Sequence, residues 1–214
     1  MATVMFSDRT DAGRQLAARL DERGVEADIV VAIPRGGLPV GRVVADSLDA
    51  PLDIVAARKL GAPGNPELAI GAVASDGSVW LNEPLIESLG IGETYVAEQI
   101  DREHVAARRK VETYRCDRPP LDPTGKRVVV VDDGLATGAT TIACVRQLRN
   151  LGAEHVVVAV PVAPPGTVER LAAEADAVIC VETPAYFDAV GRFYDDFGQV
   201  SDESARSYLV TEQG

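Results

Sequence analysis

The sequence predicts an α/β fold, a mostly parallel sheet with helices on both faces and a small C-terminal cap. Three observations carry this. Four short apolar runs, at Asp28 to Ile33, Arg127 to Val131, His155 to Val160 and Ala177 to Val181, are continuous rather than alternating, as in strands buried on both faces. Helical patterns separate them, and strand-helix-strand repetition means parallel pairing. Finally, 214 residues with 46% apolar composition suit one α/β domain with a modest appendage.

Taken in order, Thr10 to Arg23 reads as an amphipathic helix with Leu16, Ala17 and Leu20 on one face and Gly24 past its end. The Asp28 to Ile33 strand stops at Pro34-Arg35-Gly36-Gly37, and Leu38 to Leu48 resumes a helical pattern. Leu52 to Ala57 is a second short strand, and Gly61 to Pro66 reads as a loop because Gly, Pro and Asn crowd together. Ala69 to Ala74 and Val79 to Leu81 flank Ser75-Asp76-Gly77-Ser78 as a hairpin. Thr94 to Tyr114 is the longest helical stretch and strongly charged, and Arg118 to Pro123 breaks it. After the Arg127 to Val131 strand, a loop through Thr137 opens a helix at Ala139 or Thr140 that ends near Gly152. A further helix follows Pro164-Pro165-Gly166. Six of the ten aromatic residues lie from Tyr186 onward, which fits a cap over the sheet's carboxyl edge or a satellite core tying down the C-terminus. These features divide the chain into a core, 1–182, and a C-terminal hood or tail packed on it, 183–214.

The formal net charge is −12, from 33 acids against 21 bases. That argues against a nucleic-acid or anionic-membrane partner, which needs a basic face. Only Lys59, Lys110 and Lys126 are lysines, and many acids with few lysines suit a surface kept soluble at high salt, the halophilic pattern. No apolar run is long enough to span a membrane, and the N-terminus lacks the regions of a signal peptide, so the expected location is cytoplasmic. Cys116, Cys144 and Cys180 show no metal or disulfide spacing; Cys144 and Cys180 read as buried small residues.

Ligands of parallel sheets bind at the carboxyl ends of strands. The most informative loop is Val128-Val129-Val130-Val131-Asp132-Asp133-Gly134-Leu135-Ala136-Thr137-Gly138-Ala139-Thr140-Thr141. Four apolar residues drive a strand into the sheet and deliver two carboxylates at its tip. The turn that follows opens a helix whose N–H groups form a phosphate site, with Thr hydroxyls as further donors. A phosphate cradle beside two carboxylates fits a phosphorylated sugar. No Walker or dinucleotide fingerprint is present.

This run resembles the binding motif of the type I phosphoribosyltransferases, four hydrophobic residues, two acids and a Thr-Gly-x-Thr turn, position for position over 128–140. Ala32 to Gly37 is similar to that family's pyrophosphate loop, and Ala57-Arg58-Lys59-Leu60-Gly61 to its basic strand end. Arg58 to Glu67 and Ala189 to Phe197 resemble an uncharacterised subgroup of the family. The resemblance implies that Ala136, Thr137, Gly138, Ala139, Thr140 and Thr141 hold the 5-phosphate of 5-phosphoribosyl 1-pyrophosphate. It implies that Asp132 and Asp133 face the ribose hydroxyls and a Mg²⁺ ion, directly or through water. Arg35, Gly36 and Gly37 would wrap the pyrophosphate, and Arg58 and Lys59 would neutralise it as it leaves. The charged run from Arg102 to Lys110 reads as a solvated helix face, or by the same resemblance as a mobile lid.

The implied activity is Mg²⁺-dependent transfer of ribose 5-phosphate to a nitrogenous small-molecule acceptor, a purine or pyrimidine base. The alternative is a non-catalytic sensor of the donor or of a nucleotide. Ala136 stands where family members acting on 6-oxopurines carry an acid, which turns the expectation away from hypoxanthine and guanine. The oligomeric state stays open: related enzymes are commonly dimers, which admits a homodimer, but no exposed apolar stripe marks an interface.

Overall fold

The computed structural model describes residues 5–115 and 118–210, so Cys116 lies outside the described residues. The elements, in order, are α1 (Arg9–Glu22), β1 (Ile29–Ala32), α2 (Gly37–Ser47), β2 (Leu52–Ile54), β3 (Ala57–Ala62), β4 (Asn65–Ala74), β5 (Val79–Leu81), α3 (Glu83–Ser88) and α4 (Glu93–Arg115). Then follow β6 (Arg127–Val131), α5 (Ala139–Asn150), β7 (His155–Val162), α6 (Pro165–Ala172), β8 (Ala177–Glu182), a 3-10 turn (Val190–Phe193) and α7 (Asp202–Ser207). No helix among the described residues is long and apolar enough to cross a membrane.

The main sheet is parallel with strand order β2-β1-β6-β7-β8. β1, β2, β6 and β7 bury both faces, which explains the unbroken apolar runs of β1, β6 and β7, whereas β8 is mostly half-buried. Val31, Val130 and Val158 face a core completed by Ile142, Val145 and Leu148 of α5. Val30, Val129 and Val157 face the opposite core, with Leu16 and Leu20 of α1 and Val40 and Val44 of α2. Chain order reverses between β1 and β6: β1 continues outward to β2, whereas β6 leads the other way to β7 and β8. Such a switch point opens a crevice at the carboxyl ends of the two central strands.

A second sheet, antiparallel in the order β3-β4-β5, departs from the expected layout. The expected single strand from Leu52 to Ala57 is divided: β2 ends at Ile54 in the main sheet, and β3 begins at Ala57 in the other. The expected Gly61 to Pro66 loop is mostly strand, because only Pro63 and Gly64 make the turn while Gly61 and Ala62 pair across it with register shifts. Pro presets the first turn position and Gly64, at φ 73°, supplies the left-handed second one, so two residues suffice. The short helix α3, capped by Asn82, was not expected. The hairpin over Ser75 to Ser78 forms as its sequence indicates.

The charged helix α4 is not wholly a solvated face. It buries Val96, Gln99, Ala107 and Tyr114. Its last residue, Arg115, donates to both carboxylate oxygens of Asp53 in β2, at 3.2 and 3.0 Å. Asp53 is buried and also accepts the N–H of Leu121. Asp53→Ala strands a shielded guanidinium and should cost about 2–3 kcal/mol of stability, read as a lower urea midpoint at an unchanged m-value.

The aromatic C-terminal segment builds a satellite core with the start of the chain: Phe6, Ala12, Val162, Phe193 and Tyr194 are buried together, with Phe197 against them. Phe6 pairs with Tyr194 in an isolated bridge, and their rings lie 5.1 Å apart. Cys144 is buried as expected, whereas Cys180 is only half-buried because β8 is an edge strand.

Candidate functional site

Register places the two key loops together. Ala32 of β1 pairs with Val131 of β6, and the Ile33 N–H donates to the Val131 carbonyl at 2.9 Å. Pro34 to Gly37 and Asp132 to Gly138 therefore leave the sheet side by side at the switch point. The Pro34–Arg35 peptide is cis. A Cβ on Gly36 would lie 2.0 Å from Oδ2 of Asp133, and one on Gly37 would lie 2.8 Å from the Val131 carbonyl oxygen. The two loops approach so closely that only glycine fits.

Asp132 and Asp133 have different surroundings. Asp133 accepts from Arg9 Nε at 2.8 Å, with both side chains 13% exposed. Arg9 also donates to the Gly198 carbonyl at 2.7 Å and stands 4.0 Å over the Phe197 ring. Tyr194 donates its hydroxyl to the Asp133 carbonyl at 2.6 Å. Arg9 of α1 thus holds the Asp133 carboxylate, and Tyr194 of the C-terminal segment holds its backbone. Asp132 accepts the Asp133 N–H at 2.9 Å. Burial, and then the neighbouring Asp133 charge, push the Asp132 carboxyl well above the usual range, against the opposing pull of Lys110.

Lys110, in the α4 run that read as solvated, turns inward. Its Nζ donates to the Pro34 carbonyl at 2.5 Å, and burial lowers its pKa against the raising effect of Asp132. Sequence reasoning also passed over Arg9 and Tyr194. Nothing local marks Arg9, whereas Lys110 could have been noticed as one of only three lysines in the chain.

The turn after β6 builds a bare helix N-terminus. Gly138 has φ 72°, a region L side chains avoid, and provides no side-chain cap for α5. The N–H groups of Ala139, Thr140 and Thr141 are the opening donors of the helix, which have no acceptor within it. The turn's carbonyls are held from behind by α6: Thr167 donates to Ala136 O at 2.6 Å and Arg170 to Thr137 O at 3.1 Å. Ala136 and Thr137 are exposed, whereas Ala139 and Thr141 are buried. The Thr141 hydroxyl has no partner among the described residues and is fully enclosed, so the cradle receives its N–H rather than its side chain.

A cavity of about 460 Å³ joins Arg9, Arg35, Lys110, Asp132, Asp133 and Thr140. Arg58 and Lys59 of β3 line a neighbouring one of about 530 Å³ that also touches Lys110 and Thr140. Arg58 pairs with Glu103 at 3.1 Å, Lys59 with Glu67 at 3.0 Å, and Arg35 with Asp202 at 3.3 Å. Of the residues singled out, Arg35, Gly36, Arg58, Lys59, Asp132, Asp133 and Thr140 line these two cavities, whereas Gly37, Ala136, Thr137, Gly138, Ala139 and Thr141 line neither. An anion at the α5 N-terminus, hydroxyls at the carboxylates and a second anion among Arg35, Arg58, Lys59 and Lys110 are what this arrangement can bind.

Among the described residues, no group of three or more His, Cys, Asp or Glu side chains is placed to hold a metal. Two carboxylates, one already engaged by Arg9, do not form a cage. They do fit a magnesium ion that takes its remaining ligands from substrate oxygens and water, the usual habit of this hard cation.

The parallel sheet, the switch-point crevice and the paired carboxylates before a bare helix N-terminus define an α/β domain with one candidate site at the carboxyl ends of its central strands. The chain belongs to the family of the phosphoribosyl transferase domain, whose model matches residues 7–196. It is similar to the crystal structure of the protein TT1426 from Thermus thermophilus, at 43% identity and TM-score 0.81, over 96% of this chain and 97% of that one. It is also 43% identical over 205 residues to a Mycobacterium tuberculosis H37Rv protein named "Putative phosphoribosyl transferase Rv0571c". That match covers 96% of this chain and 46% of the relative, so the chain spans about half the length of the curated relatives it matches. The purine phosphoribosyltransferase of Pyrococcus horikoshii Ot3 shares the fold, with TM-score 0.50 at 18% identity over 92% of this chain and 97% of that one.

Proposed function

We propose that this protein is a phosphoribosyltransferase that moves ribose 5-phosphate between 5-phosphoribosyl 1-pyrophosphate and a nitrogenous acceptor, a purine or pyrimidine base. The observation that carries the reading is the uncapped N-terminus of α5 opening beside Asp132 and Asp133 at the sheet's switch point. The N–H groups of Ala139, Thr140 and Thr141, with the Thr140 hydroxyl, the exposed Ala136 and Thr137 and the buried Gly138, receive the 5-phosphate. Asp132 and Asp133 accept hydrogen bonds from the ribose 2- and 3-hydroxyls. Gly36 and Gly37 let backbone donors reach the pyrophosphate, and Arg35, Arg58 and Lys59 balance its charge.

In the transfer, the bond from the anomeric carbon to the pyrophosphate oxygen breaks and a bond to the acceptor nitrogen forms. Positive charge grows on the sugar and negative charge on the leaving group. Fixed carboxylates beside the sugar and fixed cations beside the pyrophosphate stabilise that separation without reorganising. Magnesium, when bound, screens the pyrophosphate charge, and Asp132 and Asp133 are the residues that would hold it, directly or through water. Ala136, in place of an acid, favours an acceptor other than a 6-oxopurine. The cations on the pyrophosphate side favour transfer over a sensor that reads only a 5-phosphate.

The same reading divides the chain into a core, 1–182, and a hood, 183–214, and supposes a homodimer working in the cytoplasm without nucleic-acid or membrane partners. The excess of 33 acids over 21 bases, with only three lysines, supports a surface suited to high salt.

The test is calorimetric titration of the donor with and without Mg²⁺, then pyrophosphate release against a panel of nucleobases. Donor binding with release for one base establishes the enzyme and its acceptor. Donor binding without release for any base returns the reading to a sensor, and no donor binding refutes it. Within this reading Lys110 braces the pyrophosphate loop through the Pro34 carbonyl. Lys110→Met should raise the KM for the donor by about tenfold. An unchanged donor KM would remove Lys110 from the loop's support.

A further inference from the structure

Arg9 is the first residue of α1, a poor place for a cation, because the positive end of the helix dipole lies there. Its side chain is nonetheless turned inward, 13% exposed, and engages three partners at once. Nε donates to Oδ2 of Asp133, Nη1 donates to the Gly198 carbonyl, and the guanidinium lies over the Phe197 ring. Nothing in helix formation calls for this arrangement.

The placement follows from how the two ends of the chain meet. Phe6 bridges Tyr194 in parallel register, and the Asp195 and Asp196 N–H groups donate to the Phe6 and Ser7 carbonyls, both at 2.9 Å. Three residues further along each segment stand Arg9 and Phe197, which therefore meet. The Phe197 ring is held from its other sides. Tyr194 packs against it at 4.9 Å, and Gly191 leaves the room it fills, since a Cβ there would lie 2.8 Å from Phe197 Cδ1. The seat beneath the guanidinium is thus built by the protein itself.

At the other end of these contacts, Asp133 lies against the glycine loop after β1. A Cβ on Gly36 would come within 2.0 Å of its Oδ2 and 2.9 Å of its Oδ1. Arg9 is the one cation among the described residues that pairs with this carboxylate. A carboxylate bonded at one oxygen turns about its Cβ–Cγ bond only by breaking that bond. Arg9 therefore decides which face of Asp133 the cavity receives.

We propose that Arg9 is a positioning residue, which fixes the orientation in which Asp133 meets the ribose hydroxyls, and that the C-terminal segment acts on the reaction by holding Arg9 through Phe197 and Gly198. The inference rests on the transferase reading for its substrate and on this geometry for its mechanism. A misplaced carboxylate harms the step in which positive charge grows on the sugar. It harms donor binding less, because the α5 cradle and the glycine loop supply that.

The experiment measures pyrophosphate release by the full chain and by Arg9→Met, Arg9→Lys, Phe197→Leu and Asp133→Asn, with melts confirming that each is folded. Arg9→Met should lower kcat by roughly 10–100-fold and leave the donor KM within about threefold. Arg9→Lys keeps the charge but not the planar fork, and should fall between Arg9→Met and wild type. Phe197→Leu should lower kcat by about three- to tenfold, and adding it to Arg9→Met should have no further effect. Arg9→Met should likewise change kcat by less than about twofold in the Asp133→Asn background, where the charge it positions is already gone. A crystal structure of ligand-free Arg9→Met should show the Asp133 carboxylate rotated off Gly36. Unchanged kcat in Arg9→Met, full additivity in both pairs, or an unmoved Asp133 overturns the proposal. A raised donor KM at wild-type kcat makes Arg9 a donor contact and overturns it as well. If the wild-type chain releases no pyrophosphate with any base, the transferase reading fails, and the Asp133 position in the Arg9→Met structure still decides whether Arg9 places that acid.

Discussion

Asp133→Asn is expected to lower kcat/KM for pyrophosphate release by about 10²–10³ while leaving the protein folded. Asparagine keeps the shape and can still accept from Arg9 Nε, which lies 2.8 Å from the carboxylate. The Tyr194 hydroxyl bonds to the backbone carbonyl of residue 133, so that contact survives the substitution. What disappears is the negative charge that the proposed reading places beside the sugar, and in that reading the charge matters most when the anomeric carbon is most positive. The effect should therefore fall on kcat more than on donor KM. The structural cost is the weakened ion pair with Arg9, about 1 kcal/mol, visible as a fall of a few degrees in Tm. A Tm loss above about ten degrees with the same kinetics would make Asp133 a structural residue. Wild-type turnover would remove it from the chemistry altogether.

Gly138→Ala should abolish measurable donor binding, a loss of at least about a hundredfold, through two separable causes. Alanine at φ 72° is strained by about 1–2 kcal/mol, and its Cβ would lie 2.8 Å from Cγ2 of Thr167. Relief of either pressure rotates the turn and withdraws the N–H groups of Ala139, Thr140 and Thr141 from their common direction. Thr167 is held in place because its hydroxyl donates to Ala136 O, so it cannot step aside cheaply. Adding Thr167→Ser removes the clashing methyl and keeps the hydroxyl. The pair Gly138→Ala/Thr167→Ser should recover part of the affinity, and the remainder reports backbone strain. Full affinity in Gly138→Ala alone would mean that the 5-phosphate sits elsewhere.

Much of the site is legible in the chain because it is local. Val128 to Val131, the two acids and the small-residue turn are consecutive, and each dictates its conformation by apolar burial, charge and steric freedom. Lys110 is different. Its neighbours Arg108 and Arg109 suggest a solvated face, and only the packing of α4 across β2 and β3 turns its ammonium toward Pro34. Arg9 lies 124 residues from Asp133, and its position depends on the Phe6 and Tyr194 pairing that draws the two ends of the chain together. The Gly61 to Pro66 segment misleads because Gly, Pro and Asn signal a turn without saying how short it is. Two residues turn, Ala62 pairs with Asn65 and Gly61 pairs with Ala69 across a register shift.

By itself the sequence determined the parallel strands, the helices between them and the small-residue turn that opens α5, since hydrophobic period and glycine placement act over a few residues. The tertiary structure alone decided which strands are neighbours, and so that the loops after Ile33 and Val131 face each other across one crevice. It also decided that cations from α1 and α4 reach Asp133 and Pro34. Those outcomes depend on long-range pairing and packing, where burial selects the partner and no local pattern names it.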